Sequence, residues 1–192
     1  MLIDKGVIPS KYLYTIREGE LVRDNVKGRL MPVDSDIVKI KGKKKSWACL
    51  FFDDLKKRCT IYDDRPLECR VLKCWDTREL KQVYSNTRLT RTDLVSKVIG
   101  LWDLIKDHQA RCDYKNIQSL INSLAGSKRN HARRKLLEII RYDAEIRNLV
   151  VSRGGLYPEM LDFLFGRPLT KTLKNYGISI HQEGNKIHLD GR

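Results

Sequence analysis

The chain has 192 residues, with 38 Lys and Arg against 24 Asp and Glu and a formal net charge of +14. At 41% hydrophobic and 32% charged residues it can bury a core, which excludes a disordered tail. No apolar run approaches the roughly 18 residues of a membrane span, and Met1-Leu2-Ile3-Asp4-Lys5-Gly6 lacks the apolar stretch of a secretory signal. Both observations point to a cytoplasmic protein with no membrane partner. The length suits one domain, or one domain with an appended lobe. The positive charge attracts polyanions, so a nucleic acid is a candidate partner.

The first 46 residues read as short strands and turns. Tyr12-Leu13-Tyr14-Thr15-Ile16 is rich in strand formers and ends in the turn Arg17-Glu18-Gly19-Glu20. Asp24-Asn25-Val26-Lys27-Gly28 is a second turn, and Ile37-Val38-Lys39-Ile40 a strand stopped by Gly42 and a lysine run. Trp47–Phe52 and Cys59–Tyr62 predict two further strands, which would place Cys49 and Cys59 on neighbouring strands. Either Asp63 or Asp64 can cap a helix with Pro66 in its first turn, putting Cys69 near its start and Cys74 near its end.

From about residue 90 the pattern turns helical. Thr90 heads a helix with the apolar stripe Leu94, Val98, Leu101 and Ile105, and Asp113 heads a shorter one closed by Gly126. Ser127 precedes a longer helix ended by Gly154-Gly155, and Pro158 and Pro168 each open a short one. Ile178-Ser179-Ile180-His181 and Lys186-Ile187-His188-Leu189, around Gly184-Asn185, predict a closing hairpin. The expected fold class is α+β: a cysteine-rich unit of short strands over residues 1–85, a helical lobe over 86–177 and a hairpin tail over 178–192.

Five cysteines, an odd number, argue against a disulfide framework. Four of them, Cys49, Cys59, Cys69 and Cys74, have the spacing Cys-x9-Cys-x9-Cys-x4-Cys, which lacks the close pairs of zinc ribbons. Spacing alone leaves ligation and ordinary core burial evenly balanced. The local chemistry favours ligation. Arg58, Arg65, Arg70 and Lys73 flank the thiols, and positive charge promotes the thiolate that metals require. Four thiolates suit zinc and equally a [4Fe–4S] cluster.

The string Cys59-x-Ile61-Tyr62-x-x-Arg65-Pro66-x-x-Cys69-Arg70, with Trp47-x-Cys49-Leu50-Phe51 before it, resembles the YkgJ-type CxxCxxCC cysteine-cluster family. That family is described as zinc- or iron-chelating, and the resemblance covers roughly residues 10–95. It implies metal binding by Cys49, Cys59, Cys69 and Cys74, with Arg65 and Arg70 offsetting thiolate charge and Trp47, Tyr62 and Trp75 excluding water. The family's CxxCxxCC run is expected upstream, but no cysteine precedes Cys49, so this chain would hold either part of a centre built from both halves or a site closed by these four, with Cys74 as the fourth thiolate. The family also resembles the cysteine-rich part of flagellin lysine N-methylases, which implies iron–sulfur chemistry. No glycine-rich loop that would hold a methyl donor is seen here.

The remaining candidates have simpler readings. Cys112 is expected to be a structural thiol. His108, at a helix end, is expected to serve as a cation on the helix dipole. His131 lies in the basic run Lys128–Lys135, a solvated face that could take an anion. His181 and His188 face each other across the expected hairpin. Asp53, Asp54, Asp63 and Asp64 suit turns and caps. A basic nucleic-acid-binding module, using Lys43, Lys44, Arg133 and Arg134, is the alternative function.

Overall fold

The computed structural model describes residues 6–24, 27–44, 46, 48–73, 75–84, 88–183 and 186–191. It is α+β, with four two-stranded antiparallel sheets and a mainly helical second half among those residues. No helix among them is long and apolar enough to cross a membrane.

The first strands form as expected, with one hairpin more. Strand β1 (Leu13–Ile16) turns through Gly19 (φ +78) into β2 (Leu21–Arg23). That strand pairs antiparallel with β3 (Leu30–Pro32), and the chain returns in β4 (Ile37–Ile40) to pair with β1 from Leu13↔Ile40 to Ile16↔Ile37. The β2–β3 strands are three residues each and partly exposed, so they are too short to show an alternating pattern. Asn25 and Val26 of the turn between them lie outside the described residues. Strand β1 and the turn that follows it are held by helix-borne groups. The Thr15 hydroxyl donates to the Phe163 carbonyl at 2.6 Å, and the Tyr176 hydroxyl bridges Leu21 N–H and the Gly19 carbonyl at 3.0 and 2.9 Å.

The next strands are shorter than predicted. Strands β5 (Phe52–Asp53) and β6 (Arg58–Cys59) have two residues each. Helix α1 (Leu67–Val71) starts after Pro66, without a side-chain cap, and α2 (Arg78–Tyr84) follows. The single helix expected from Thr90 is two: α3 (Arg91–Val95), whose start is tied by a Thr90–Asp93 capping box, and α4 (Ile99–Arg111). The break at 96–98 falls beside Val95, Val98, Ile99 and Gly100, residues of low helix propensity. Helix α5 (Tyr114–Asn122) is capped by Asp113, whose carboxylate accepts Asn116 N–H at 2.8 Å. Helix α6 (Arg129–Ser152) spans the helical half. Helices α7 (Leu161–Leu164) and α8 (Leu169–Thr172) lead to β7 (Ile178–Glu183) and β8 (Lys186–Gly191). The turn between these two strands, Gly184-Asn185, lies outside the described residues.

Helix α6 joins two apolar clusters. Its Ile146 and Val150 meet Leu13, Phe51, Ile105 and Phe163–Phe165 on one side. Its Leu136 and Ile140 meet Tyr114, Ile117, Leu169 and Leu189 on the other. Burying such side chains contributes about 1.5–3 kcal/mol each.

Between the clusters lies a buried polar network. Asp143 Oδ1 accepts from His108 Nε2 at 2.8 Å and Arg147 Nε at 2.9 Å, and its Oδ2 accepts Leu169 N–H at 2.9 Å. Arg91 grips Asp36 through two nitrogens, at 2.6 and 3.1 Å, and donates to the Leu164 carbonyl at 2.8 Å. Arg167 pairs with the fully buried Glu20. Arg17, also fully buried, lies against Gly166, whose φ is +73. A Cβ at Gly166 would stand 2.7 Å from Arg17 Cγ.

Two predictions follow from this interior. Gly166→Ala should destabilise the fold by about 1–3 kcal/mol, through strained backbone and overlap with Arg17, read as a lower urea midpoint. Burial holds His108 down to about 4 even though Asp143 accepts its proton bond. Its folded value lies below the unfolded value of about 6.5, so between those two the unfolded chain binds the extra proton. Stability should therefore fall as pH drops through that window, with a slope approaching 1.4 kcal/mol per unit, roughly. Urea titrations of wild type and His108→Gln across pH 4–7 check this, the variant giving the flatter profile.

Candidate metal centre

Three of the four clustered cysteines can be placed, and each is set by a different local device. Cys49 forms an isolated antiparallel bridge with Gly42. The loop around it is held by Lys43 N–H to the Ala48 carbonyl at 2.9 Å and by Phe52 N–H to the Cys49 carbonyl at 3.0 Å. Lys43 Nζ closes the same loop, donating to the Phe52 carbonyl at 2.6 Å and pairing with Asp54. Cys59 sits opposite Phe52 in the β5–β6 pair and packs against the first apolar cluster. The turn joining those strands is made by Asp53, whose Oδ1 accepts Leu55 and Lys56 N–H at 2.9 and 3.0 Å. Cys69 is the third residue of α1. Cys74 and Trp47 lie outside the described residues.

The sequence placed Cys49 on a strand beside Cys59. The structure corrects this: Cys49 lies before β5, on the loop bridged to Gly42. The three sulfurs are near enough for the charges of Cys49 and Cys59 to act on Cys69, but among the described residues they do not form a group whose ligand atoms all lie within 4.8 Å of one another. Burial pushes the Cys69 thiol above its ordinary value, and Cys49, Glu68 and Cys59 add to that rise against the opposing charge of Arg65. The group is open to solvent: Cys49 and Cys69 are exposed and Cys59 is half-buried.

The flanking arginines also have a structural part. Arg65 Nε donates to the Tyr62 carbonyl at 2.8 Å, and its guanidinium lies 3.6 Å from the Tyr62 ring centroid. Arg70 donates to the Arg65 carbonyl at 2.8 Å and the Asp63 carbonyl at 3.2 Å. Together they lock the turn that presents Cys69, and the Arg65 charge favours its thiolate, as expected of it. The aromatic groups do not shield the sulfurs, since Tyr62 and Trp75 are 58% and 85% exposed. Asp53 and Asp54 have the turn and ion-pair roles described above, as the simpler reading held. Asp63 and Asp64 are exposed residues of the turn before α1.

One property of the segment bears on what a metal would do there. Among the described residues from 41 to 76, Phe51 alone is buried. Two-residue strands and a five-residue helix are marginal without a core or a cross-link. Cys49, Cys59 and Cys69 come from separate elements, and thiols are the soft donor type that zinc and iron take.

A second cluster of donor atoms was not visible in the sequence. One ligand atom each from His108, Cys112 and Asp143 lie within 4.8 Å of one another, and all three residues are buried. These donors do not fit a cation. Both Asp143 oxygens already accept hydrogen bonds. Burial pushes the Cys112 thiol up to about 12, so it stays protonated, and Arg147 and Arg17 add positive charge alongside. His108 is a neutral interior group, not the cation on the helix dipole that its position suggested. The signals that could have found this network are spacings of four, from His108 on α4 to its C-terminal cap Cys112 and from Asp143 to Arg147 on α6.

The other histidines lie apart from the thiols in sequence and element. His131 is exposed at the start of α6, with its Nδ1 3.4 Å from Arg134. His181 and His188 are directly opposite in the β7–β8 register, as the hairpin predicted.

Ligation at the thiol group would be linked to pH, because a metal must displace the proton that burial favours on Cys69. Zinc affinity of the reduced chain should therefore rise from pH 6 to pH 8. Competition with a chromophoric chelator at several pH values measures this.

No curated protein and no solved structure matches the chain. Residues 16–94, which run from the end of β1 into α3 and hold all the cysteines but Cys112, match the model of the CxxCxxCC family, described as a putative zinc- or iron-chelating domain.

Proposed function

We propose that Cys49, Cys59, Cys69 and Cys74 together bind one zinc ion or one iron centre, a [4Fe–4S] cluster being the form that four thiolates suit best for iron. The observation that carries this reading is the placement of Cys49, Cys59 and Cys69 on three separate elements, near enough for the charges of Cys49 and Cys59 to act on the Cys69 thiol, in a segment that has almost no core of its own. When bound, the metal supplies a cross-link and so contributes folding free energy. The chain's own residues do the positioning. The Gly42 bridge and Lys43 hold the Cys49 loop, the Asp53 turn sets Cys59, and Arg65 and Arg70 hold the start of α1 under Cys69.

A second reading is favoured by a specific observation at α6. Lys128, Arg129, Arg133, Arg134 and Lys135 crowd its first turns, with no acidic side chain in the first turn to complement the helix dipole. A groove of about 540 Å³ opens beside them, lined in part by Arg111, Asn116, His131 and Lys135. A nucleic-acid backbone has the charge to fit this face.

Two experiments separate the readings. Chain purified without oxygen should carry one zinc, or iron with visible absorption, and C49S/C69S should lose it while the circular dichroism of the helices persists. Chelation should expose Lys56-Lys57-Arg58 to trypsin and spare α4 to α6. Stoichiometric zinc without colour removes the iron–sulfur form. A metal-free chain whose four thiols alkylate freely while folded removes the proposal. For the second reading, binding of a short RNA or DNA duplex should weaken steeply with salt and be lost in R133E/R134E. Binding that ignores salt rejects it.

A further inference from the structure

Among the described residues, four buried side-chain nitrogens have no hydrogen-bond partner: Nε and Nη2 of Arg17, Nη1 of Arg147 and Nδ1 of His108. Orphaned buried polar atoms are rare, and each calls for an explanation. These four belong to one place. His108 Nε2 and Arg147 Nε converge on the same oxygen of Asp143. Arg147 Nη2 donates to the Gly166 carbonyl at 2.9 Å. The Gly166 main chain in turn runs along Arg17, so that a Cβ there would stand 3.1 Å from Arg17 Nε. Two guanidinium groups thus flank one peptide, well inside the protein.

Among the described residues, Arg17 has no carboxylate of its own in this interior. Arg91 has Asp36, Arg147 has Asp143 with Asp162 at 4.0 Å, and Arg167 has Glu20, so that of these carboxylates only the more distant charge of Asp143 acts on Arg17. Arg17 is 0% exposed, and among the described residues no carboxylate forms an ion pair with it. Its Nη1 makes only long bonds, to the Cys112 carbonyl at 3.2 Å and Gln109 Oε1 at 3.4 Å, and its guanidinium lies 4.6 Å from the Tyr114 ring centroid. An arginine cannot escape the cost of burial by losing its proton. Carbonyl dipoles and a ring face offset part of that cost, but a buried charge is normally paired. The unused Nε and Nη2 form one edge of the guanidinium, the fork that grips an anion from two directions.

We propose that this edge of Arg17 binds a small monovalent anion, chloride in its simplest form, as an interior counter-ion joining β1 to α4 and α6. His108 takes no part in holding it, since its proton is on Nε2 toward Asp143 and its Nδ1 is an acceptor. The guanidinium groups of Arg17 and Arg147 beside Cys112 also disfavour a metal at His108, Cys112 and Asp143. The site is independent of the cysteine centre, and its occupant is a structural ion rather than a substrate.

Two measurements test it on the full chain. Crystals grown or soaked in bromide should show an anomalous peak within hydrogen-bond distance of Arg17 Nε and Nη2. Melting of the unmodified chain should fall by several degrees when gluconate replaces chloride at constant ionic strength, while R17M melts alike in both. An ordered water at that edge with no bromide signal overturns the proposal. So does an anion dependence of the same size in R17M, which would place the effect on the basic surface. If R17M fails to fold, the bromide map of the natural sequence decides.

Discussion

Asp143 accepts three hydrogen bonds inside the protein, from His108 of α4, from Arg147 one turn further along α6 and from the main chain of Leu169 at the start of α8. The arrangement of the helical half depends on that carboxylate. Burial alone would raise Asp143, but the His108 hydrogen bond and the Arg147 charge outweigh it and bring it to about 2. It therefore stays ionised and remains an acceptor for three elements at once. Neither apolar cluster could fix the rotation of α6 in the same way, because hydrophobic contact is non-directional. Arg147 continues the chain of bonds to the Phe165 and Gly166 carbonyls, which bring Arg17 and β1 against the helices.

The cysteine segment is organised on different terms. Residues 10–40 are joined to the helices by directional bonds at Thr15, Arg91–Asp36, Glu20–Arg167 and Tyr176. Residues 41–76 have short turns, exposed thiols and exposed Tyr62, Leu67, Leu72 and Trp75. Such a segment is held by local hydrogen bonds and by few buried contacts, so it sits at the low end of local stability. Cross-linking by a metal acts most strongly on chain of this kind, since it replaces missing core with a few strong bonds. The β1–β4 frame gives that segment a fixed base: Lys41 N–H bonds the Tyr12 carbonyl and Leu50 N–H bonds the Lys41 carbonyl, at 2.8 and 3.3 Å.

Positive charge has two distinct meanings in this molecule. On the surface, at the start of α6, lysine and arginine are solvated and cheap to hold. In the interior each arginine must find a partner, and the partners found are Asp36, Asp143 and Glu20. A net charge read from composition cannot separate these cases, because desolvation multiplies the cost of an unpaired charge.

What the sequence determined by itself was local. The turn at Arg17–Glu20, the strand at Ile37–Ile40, the Asp113 cap, the prolines opening short helices and the His181↔His188 hairpin register all follow from residue types at fixed spacing. The cysteine string, with its Arg-Pro context, was legible for the same reason. Tertiary structure alone decided which groups meet. The β2–β3 strands escaped notice because three residues carry no periodicity, and the α3–α4 break because an unbroken apolar stripe spans it. Arg17 read as a turn residue and His108 as a helix-end cation, yet both are fully buried. Their surroundings come from Tyr114, Asp143 and Gly166, distant in sequence, and burial and pairing are properties of that assembly rather than of any one segment.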